Sequence, residues 1–335
     1  MELTWFRYLL STTSLALWLV APSAFAKDAF GLDSYKIRAE MLTKSEKPYT
    51  TKYGNSINVY AVANSQPTST EKKQHVRFLI QGGLHGNELL ASEFVAWLAK
   101  RFANGESLLN TLNNGNISID FVPYANPDGT IQFTRYNSNQ INLNRNFDVL
   151  WGVTRENPGP SPFSENETRA IRDLVLSRNY TAAVDVHGFV NWIVMPTSPS
   201  EGLKGLPKVT AERRKTYDLW ASAVKSHAAK QLPGYEIKTA GELKDGGAFE
   251  DFTWWSGGVP AICLELFTDS RHVLMSFADT IINILTPKGI NTRDRAARGQ
   301  SDTFIAYESY IHSLFQDAIK IDSGVENKRE IVSTR

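Results

Sequence analysis

Residues 75–102 read HVRFLIQGGLHGNELLASEFVAWLAKRF. The first six, His75–Ile80, are β-branched, aromatic and aliphatic, and the run stops at Gln81-Gly82-Gly83, so it reads as a strand ending in a turn. From Glu88 onward the spacing changes. Leu89, Leu90, Phe94, Val95, Leu98 and Phe102 fall on one side of a 3.6-residue period, which predicts a helix over Glu88–Phe102, closed by Asn104-Gly105. A strand, a glycine turn and an amphipathic helix in immediate succession form the first half of a strand–helix–strand unit and place the chain among α/β proteins.

The same alternation extends in both directions. Asn58–Ala63, Asn116–Pro123, Ala182–Val186 and Ala261–Phe267 read as strands. The last of these, AICLELF, has almost no polar alternation, as expected at the centre of a sheet covered on both faces. Helices are predicted from Ser164 to about Ser177, over Val209–Gln231 and over Thr303–Ile321, with another at Ser34–Lys44. Asn126–Asp148 is rich in Asn without a sustained apolar period and reads as an ordered loop. The expected fold is an α/β three-layer sandwich with a mixed, mostly parallel central sheet and helices on both faces. There is no internal repeat and no Pro/Ser/Gly linker. One catalytic domain is therefore expected over residues 27–335, with its core at about 45–290 and a frayed tail.

Composition narrows the function. The chain has 335 residues, 36 Lys+Arg and 35 Asp+Glu, a net charge of +1. That balance gives no electrostatic footprint for nucleic acid or for an anionic membrane. Its one cysteine, Cys263, excludes an intrachain disulfide and a Cys-rich zinc module, so a metal site must draw on carboxylates and the 6 His. Residues 1–26 carry an apolar run, Tyr8–Val20, followed by Ala24 and Ala26 in an A-x-A pattern before Lys27. This is a secretory signal peptide. The mature protein is expected to be exported, periplasmic or secreted, with no stable membrane insertion after cleavage.

The chemistry concentrates at His85-Gly86-Asn87-Glu88. A His and a Glu three residues apart, where a turn opens a helix, reach one side and can hold one ion. The best candidate for a third ligand is His187 in VDVHGF, at the end of a buried strand, where ligands collect in open α/β sheets. Two His and one Glu with an open fourth position make a catalytic zinc arrangement. Arg135 and Arg145 lie in a polar loop flanked by amides, and their rigid forks suit a carboxylate or an oxyanion. Glu265 stands in an otherwise apolar strand, where a carboxylate is costly without a partner or a task.

Taken in order, H-x-x-E, NPDG, T-R, N-R-N-F-D, D-x-H-G and L-E-L resemble the zinc metallocarboxypeptidases of the carboxypeptidase A type, over roughly Tyr53 to Phe267. The compact spacing from NPDG to NRNF is more similar to the short bacterial members, including murein-peptide amidases. The resemblance implies one zinc ion held by His85, Glu88 and His187. It implies Glu265 as the general base that activates water and later protonates the leaving amine, Arg135 at the oxyanion, and Asn144 and Arg145 on the substrate's terminal carboxylate. The expected substrate is a peptide or muropeptide cleaved at a C-terminal amide bond. A zinc deacylase acting on N-acyl amino acids and a catalytically inactive carboxylate-binding protein are the alternatives.

Two positions depart from the family pattern. The family Asp that orients the first zinc His is Asn142 here, an amide that accepts the same N–H without a charge. The loop Thr239–Gly247 lacks the mobile Tyr of the digestive enzymes and offers Glu242, Lys244 and Asp245 instead. Downstream, Glu250 or Asp251 in the specificity pocket would favour a basic or amino-bearing terminal residue, and Phe249 an apolar one.

Overall fold

The computed structural model describes residues 39–41, 43–44, 47–64, 74–266 and 301–324. The expected leader at 1–26 and the expected frayed tail beyond Gly324 lie outside the described residues. Strands β1 (Ala39–Met41), β4 (Asn58–Ala63), β5 (Val76–Gly82), β6 (Ile117–Val122), β7 (Ala182–Gly188), β8 (Trp192–Met195), β9 (Glu236–Thr239) and β10 (Ala261–Leu266) form one sheet in the order β1-β4-β6-β5-β7-β10-β8-β9. Two further short strands, β2 (Thr43–Lys44) and β3 (Lys47–Pro48), pair separately. The central run β6-β5-β7-β10 is parallel. β4 joins antiparallel at one side and β8 at the other, so the sheet is mixed as expected.

The helices are α1 (Leu89–Ala103), α2 (Pro127–Gln132), α3 (Asn166–Ser177), α4 (Ala211–Gln231), α5 (Ala240–Leu243), α6 (Phe249–Trp255) and α7 (Ser301–Gly324). On one face of the sheet, Phe78, Ile80, Val184, Val186, Ile262 and Leu264 pack against α1, α4 and α7. Phe78 stacks on Phe315 with centroids 4.0 Å apart. Each large apolar side chain removed from water here contributes about 1.5–3 kcal/mol before the entropy of ordering it. On the other face, Leu79, Ala183 and Ala261 pack against α3 and α6.

Two expectations are corrected. The described part of Ser34–Lys44 is not helical: Ala39–Met41 is an edge strand paired antiparallel with β4. An open sheet edge offers a ladder of backbone partners, and such tertiary pairing overrides a weak local helical pattern. The stretch 126–148 is also more ordered than a loop. It contains α2 and a 3₁₀ turn at Leu143–Arg145. Pro127 at the first helical position and Asn126 as its cap start α2, with Asn126 Oδ1 accepting from Gly129 N at 2.9 Å.

The connectivity positions the site. From β5 the chain crosses through α1 to β6 on one side, then through α3 to β7 on the other. β5 and β7 are neighbours from which the chain departs in opposite directions, and a crevice opens beyond the carboxyl ends of such strands. His85 follows β5, while His187 and Glu265 sit opposite each other near the ends of β7 and β10. Strand alternation turns Asp185, His187, Cys263 and Glu265 to the same face, the one covered by α3 and α6.

Candidate metal centre

The turn carrying His85 and Glu88 is held by backbone contact that tolerates no side chains. A Cβ on Gly86 would overlap the Gly129 carbonyl carbon, and one on Gly83, at φ +74°, would come within 2.6 Å of Ser92 Oγ. The NPDG segment therefore lies directly under the HGNE turn. Asn126 Nδ2 donates to Leu84 O at 3.2 Å. Asp128 anchors the other side, accepting from Thr51 Oγ1, Asn55 Nδ2, Tyr53 N and Ser138 Oγ. The motif thus acts as a buried buttress: Asp128 is fully buried and all its partners are structural.

His85, Glu88 and His187 are buried together. Glu88 Oε1 is 2.9 Å from His85 Nδ1, Glu88 Oε2 is 2.9 Å from His187 Nδ1, and the two Nδ1 atoms are 3.0 Å apart. One ligand atom from each residue lies within 4.8 Å of the others. The rear nitrogens are fixed from behind. His187 Nε2 meets Asp185 Oδ2 at 2.8 Å, and His85 Nε2 meets Asn142 Oδ1 at 3.1 Å. Those bonds leave both Nδ1 lone pairs turned inward, so two imidazoles and a carboxylate converge with their outer hydrogen bonds already made. That donor set suits zinc.

Burial and charge act on the three side chains in opposite senses. Burial lowers His85. Burial works the same way on His187, yet Asp185 and Glu88 outweigh it and raise this histidine well above its usual range. Burial alone would raise Glu88, but the charges and hydrogen bonds of His85 and His187 hold it far below the carboxylate range. A cation bound here replaces a proton.

Glu265 lies across from His187 in the adjacent strand. Burial pushes its carboxyl up to about 7, with Glu88 and Asp185 adding to the rise and His187 and Arg135 opposing it. Among the described residues its Oε2 has no hydrogen-bond partner. Arg135 reaches the same place. Its Nη1 is 3.0 Å from His85 Nδ1 and 3.2 Å from Glu88 Oε1, while Nε and Nη2 form a fork on Glu156 at 3.0 and 3.1 Å. Burial pulls the Glu156 carboxyl upward, but Arg135, Asn142 and Arg145 bring it down to about 2.

Asn144 and Arg145 adjoin the centre and are both buried. Asn144 Oδ1 accepts from Phe249 N at 2.8 Å, and its Nδ2 is 3.5 Å from His187 Nε2. Arg145 donates through Nη1 to Asn144 O at 2.7 Å, and its Nη2 pairs with Asp245 at 2.6 Å. Gly247 makes that pairing possible: at φ +78° its backbone presses so closely on Arg145 that a Cβ would overlap the Arg145 carbonyl. Thus Asp245 is the residue of the 239–247 loop that meets the site, while Lys244 is exposed. Of the pocket candidates, Phe249 packs edge-on to Phe147, and Asp251 accepts from Thr197 N and Oγ1 at 2.6 and 2.8 Å. Glu250 is buried, its carboxyl raised by burial and by Asp251.

Seven residues singled out in the sequence therefore gather around one point. Two residues of the site, Asp185 and Glu156, were not singled out, and a third, Asp245, was named only among alternatives. Asp185 had a legible signal, a carboxylate two residues before a histidine in an apolar strand. Glu156, in the polar stretch TRENPGP, had none. Asp245 was only one of three charged candidates in its loop.

A mixed α/β/α sandwich with a buried His₂Glu centre at the ends of its parallel strands defines a class of single-metal α/β proteins. A family model described as zinc carboxypeptidase matches residues 33–287, and the chain belongs to that family. Carboxypeptidase B of Helicoverpa zea is 26% identical over 201 residues, covering 51% of this chain and 45% of that protein. Mast cell carboxypeptidase A of Rattus norvegicus is 27% identical over 142 residues, 34% of each. The matches thus span half or less of these relatives' own length. Among solved structures, a metallo-carboxypeptidase from Burkholderia cenocepacia superposes with a TM-score of 0.56 at 18% identity, covering 89% of this chain and 69% of that one. Thrombin activatable fibrinolysis inhibitor gives 0.59 at 16%, covering 88% and 71%. At such identities the solved structures speak for the fold.

Proposed function

We propose that this chain is an exported zinc-dependent carboxypeptidase or amidase that hydrolyses a C-terminal amide bond of a peptide, a murein peptide being the favoured substrate. The observation that carries this reading is the placement of the buried Glu265, its carboxyl raised to about 7, beside the His85–Glu88–His187 set. Zinc held by those three residues supplies an acidified water and a Lewis acid for the scissile carbonyl. Glu265, with a carboxyl near neutrality, takes a proton from the attacking water and returns it to the departing amine nitrogen. A C–O bond forms, the C–N bond breaks, and a carboxylate and an amine leave. Arg135 Nη1, aimed inward by its fork on Glu156, meets the negative charge that develops on the carbonyl oxygen, a contribution of order 3 kcal/mol.

Asn144 and Arg145 receive the substrate's terminal carboxylate. Because Asp245 already occupies Arg145, the incoming anion must exchange with it. The murein preference rests on the leader sequence and the compact NPDG–NRNF spacing. Chelation is expected to abolish activity and zinc to restore it. Muropeptides and ordinary peptides incubated with the zinc-loaded enzyme and read by mass spectrometry separate the two substrate classes. Release of no terminal residue from either set would overturn the peptidase reading, and turnover of N-acyl amino acids alone would replace it with deacylation.

A further inference from the structure

The two zinc-site histidines are backed differently. His187 leans on the Asp185 carboxylate and His85 on the Asn142 amide. The Asn142 amide is not isolated, however. Its Oδ1 accepts from His85 Nε2 at 3.1 Å and from Asn144 N at 2.9 Å, and its Nδ2 donates to Glu156 Oε2 at 2.6 Å. This orientation is forced. Turned over, the amide would set its NH₂ against the Asn144 N–H and its oxygen against a carboxylate. The result is an uninterrupted chain from the Glu156 carboxylate through the amide to the His85 imidazole, in which each bond polarises the next. The same carboxylate grips Arg135 with both oxygens and leaves Arg135 Nη1 pointing at Glu88 and His85.

We propose that Glu156 is a positioning residue that serves the metal centre through two intermediaries. Through Asn142 it lends His85 the negative charge that Asp185 gives His187 directly, and through its fork it aims Arg135 at the reacting carbonyl. A side-chain amide relays charge because it accepts at one end and donates at the other. A bidentate carboxylate can hold an arginine with the lone pairs that remain. The inference rests on the zinc site and holds whichever amide is the substrate.

Zinc affinity of the full chain, measured by competition with a chromophoric chelator, reads the relay without substrate. Glu156→Gln keeps the size and removes the charge, and zinc binding is expected to weaken about tenfold. Asn142→Asp alone sets a second carboxylate against Glu156 at hydrogen-bond distance and is expected to lower thermal stability without tightening zinc. In the Glu156→Gln background the same Asn142→Asp change is expected to return zinc affinity to within about twofold of the parent. In that double variant kcat stays about tenfold low while KM is kept, because Arg135 has still lost its fork. A Glu156→Gln protein that binds zinc as tightly as the parent overturns the relay. So does an Asn142→Asp change with the same effect in both backgrounds. Glu156→Asp, which keeps the charge, serves if the Gln variant fails to fold. Zinc affinity nearer the parent than that of Glu156→Ala supports the relay, and equal affinities for the two refute it. Loss of peptidase activity with zinc affinities behaving as stated would count against the substrate reading alone.

Discussion

The two faces of the sheet are built on different physics. Against α1, α4 and α7 the packing is aromatic and aliphatic, with Phe78, Phe94, Trp220, Tyr310 and Phe315 buried. Against α3 and α6 the same strands turn out Asp185, His187 and Glu265, and the segments around them, α2, α3 and α6 among them, bury Asp128, Asn142, Glu167, Glu250 and Asp251. Alternation along β7 and β10 makes this division possible, since successive side chains serve opposite faces. The apolar face holds the strands rigidly, and that rigidity lets the other face keep buried carboxyls at the ends of β7 and β10. The contrast teaches that stability and chemistry are lodged in alternate residues of the same strands.

Changes that separate the faces test this. Glu265→Gln is expected to lower kcat by about 10²–10⁴ while zinc affinity and the unfolding midpoint hold. A loss of zinc binding as large as the loss of turnover would make Glu265 part of the metal support. On the opposite face Phe315→Ala should cost about 3–5 kcal/mol in urea unfolding and leave zinc affinity within about twofold. If zinc affinity fell in step, the faces would not be independent. Asp185→Asn removes the charge behind His187 and should weaken zinc about 10- to 100-fold with little change in unfolding of the metal-free protein.

Smaller effects come from the buried carboxyls that the site face carries. Burial, with Glu165 and Asp128 nearby, pushes Glu167 up to about 7. Asp251 is raised to about 7 as well, by burial first. In the unfolded chain both release their protons near pH 4. Between about pH 4 and 7 the folded state therefore binds more protons than the unfolded one, and stability declines as pH rises through that window. The loss should be of order 3–4 kcal/mol for each group, and Glu167→Gln should flatten part of the profile of unfolding free energy against pH. A profile unchanged by that substitution would place the dependence elsewhere. Last, Asp245→Asn frees Arg145 and should lower KM for carboxylate-terminated substrates a few-fold, with kcat nearly unchanged. A rise in KM would instead make Asp245 a substrate contact.

Much of the architecture could be read from patterns within single segments. The strand at 76–82, the helix at 89–103 and the apolar strand at 261–266 each announce themselves by period and composition. The short strands β8 and β9 and the short helices α5 and α6 went unread, because four to seven residues give too little period to detect. The edge strand at 39–41 was misread as helix, because its pairing with β4 is a matter of tertiary position. The metal ligands were legible for the opposite reason, because their signal is local. His85 and Glu88 share one turn, and His187 ends a strand. Glu156 was not legible, because nothing in TRENPGP marks a carboxylate that must cross 21 residues to meet Arg135 and 14 to meet Asn142.

The sequence by itself determined which residues are chemically able to act. It supplied two histidines and a glutamate at the ends of buried strands, a carboxyl stranded in apolar surroundings, and glycines where backbones must touch. Those properties belong to single residues and their immediate neighbours. Only the tertiary structure decided how they are charged and aimed. It set Asp185 behind one histidine and the Asn142–Glu156 pair behind the other, laid Asp245 on Arg145, and raised Glu265 toward neutrality. Burial and hydrogen-bond geometry are properties of the packed molecule, and they depend on segments that meet only when the sheet closes between its two helical layers.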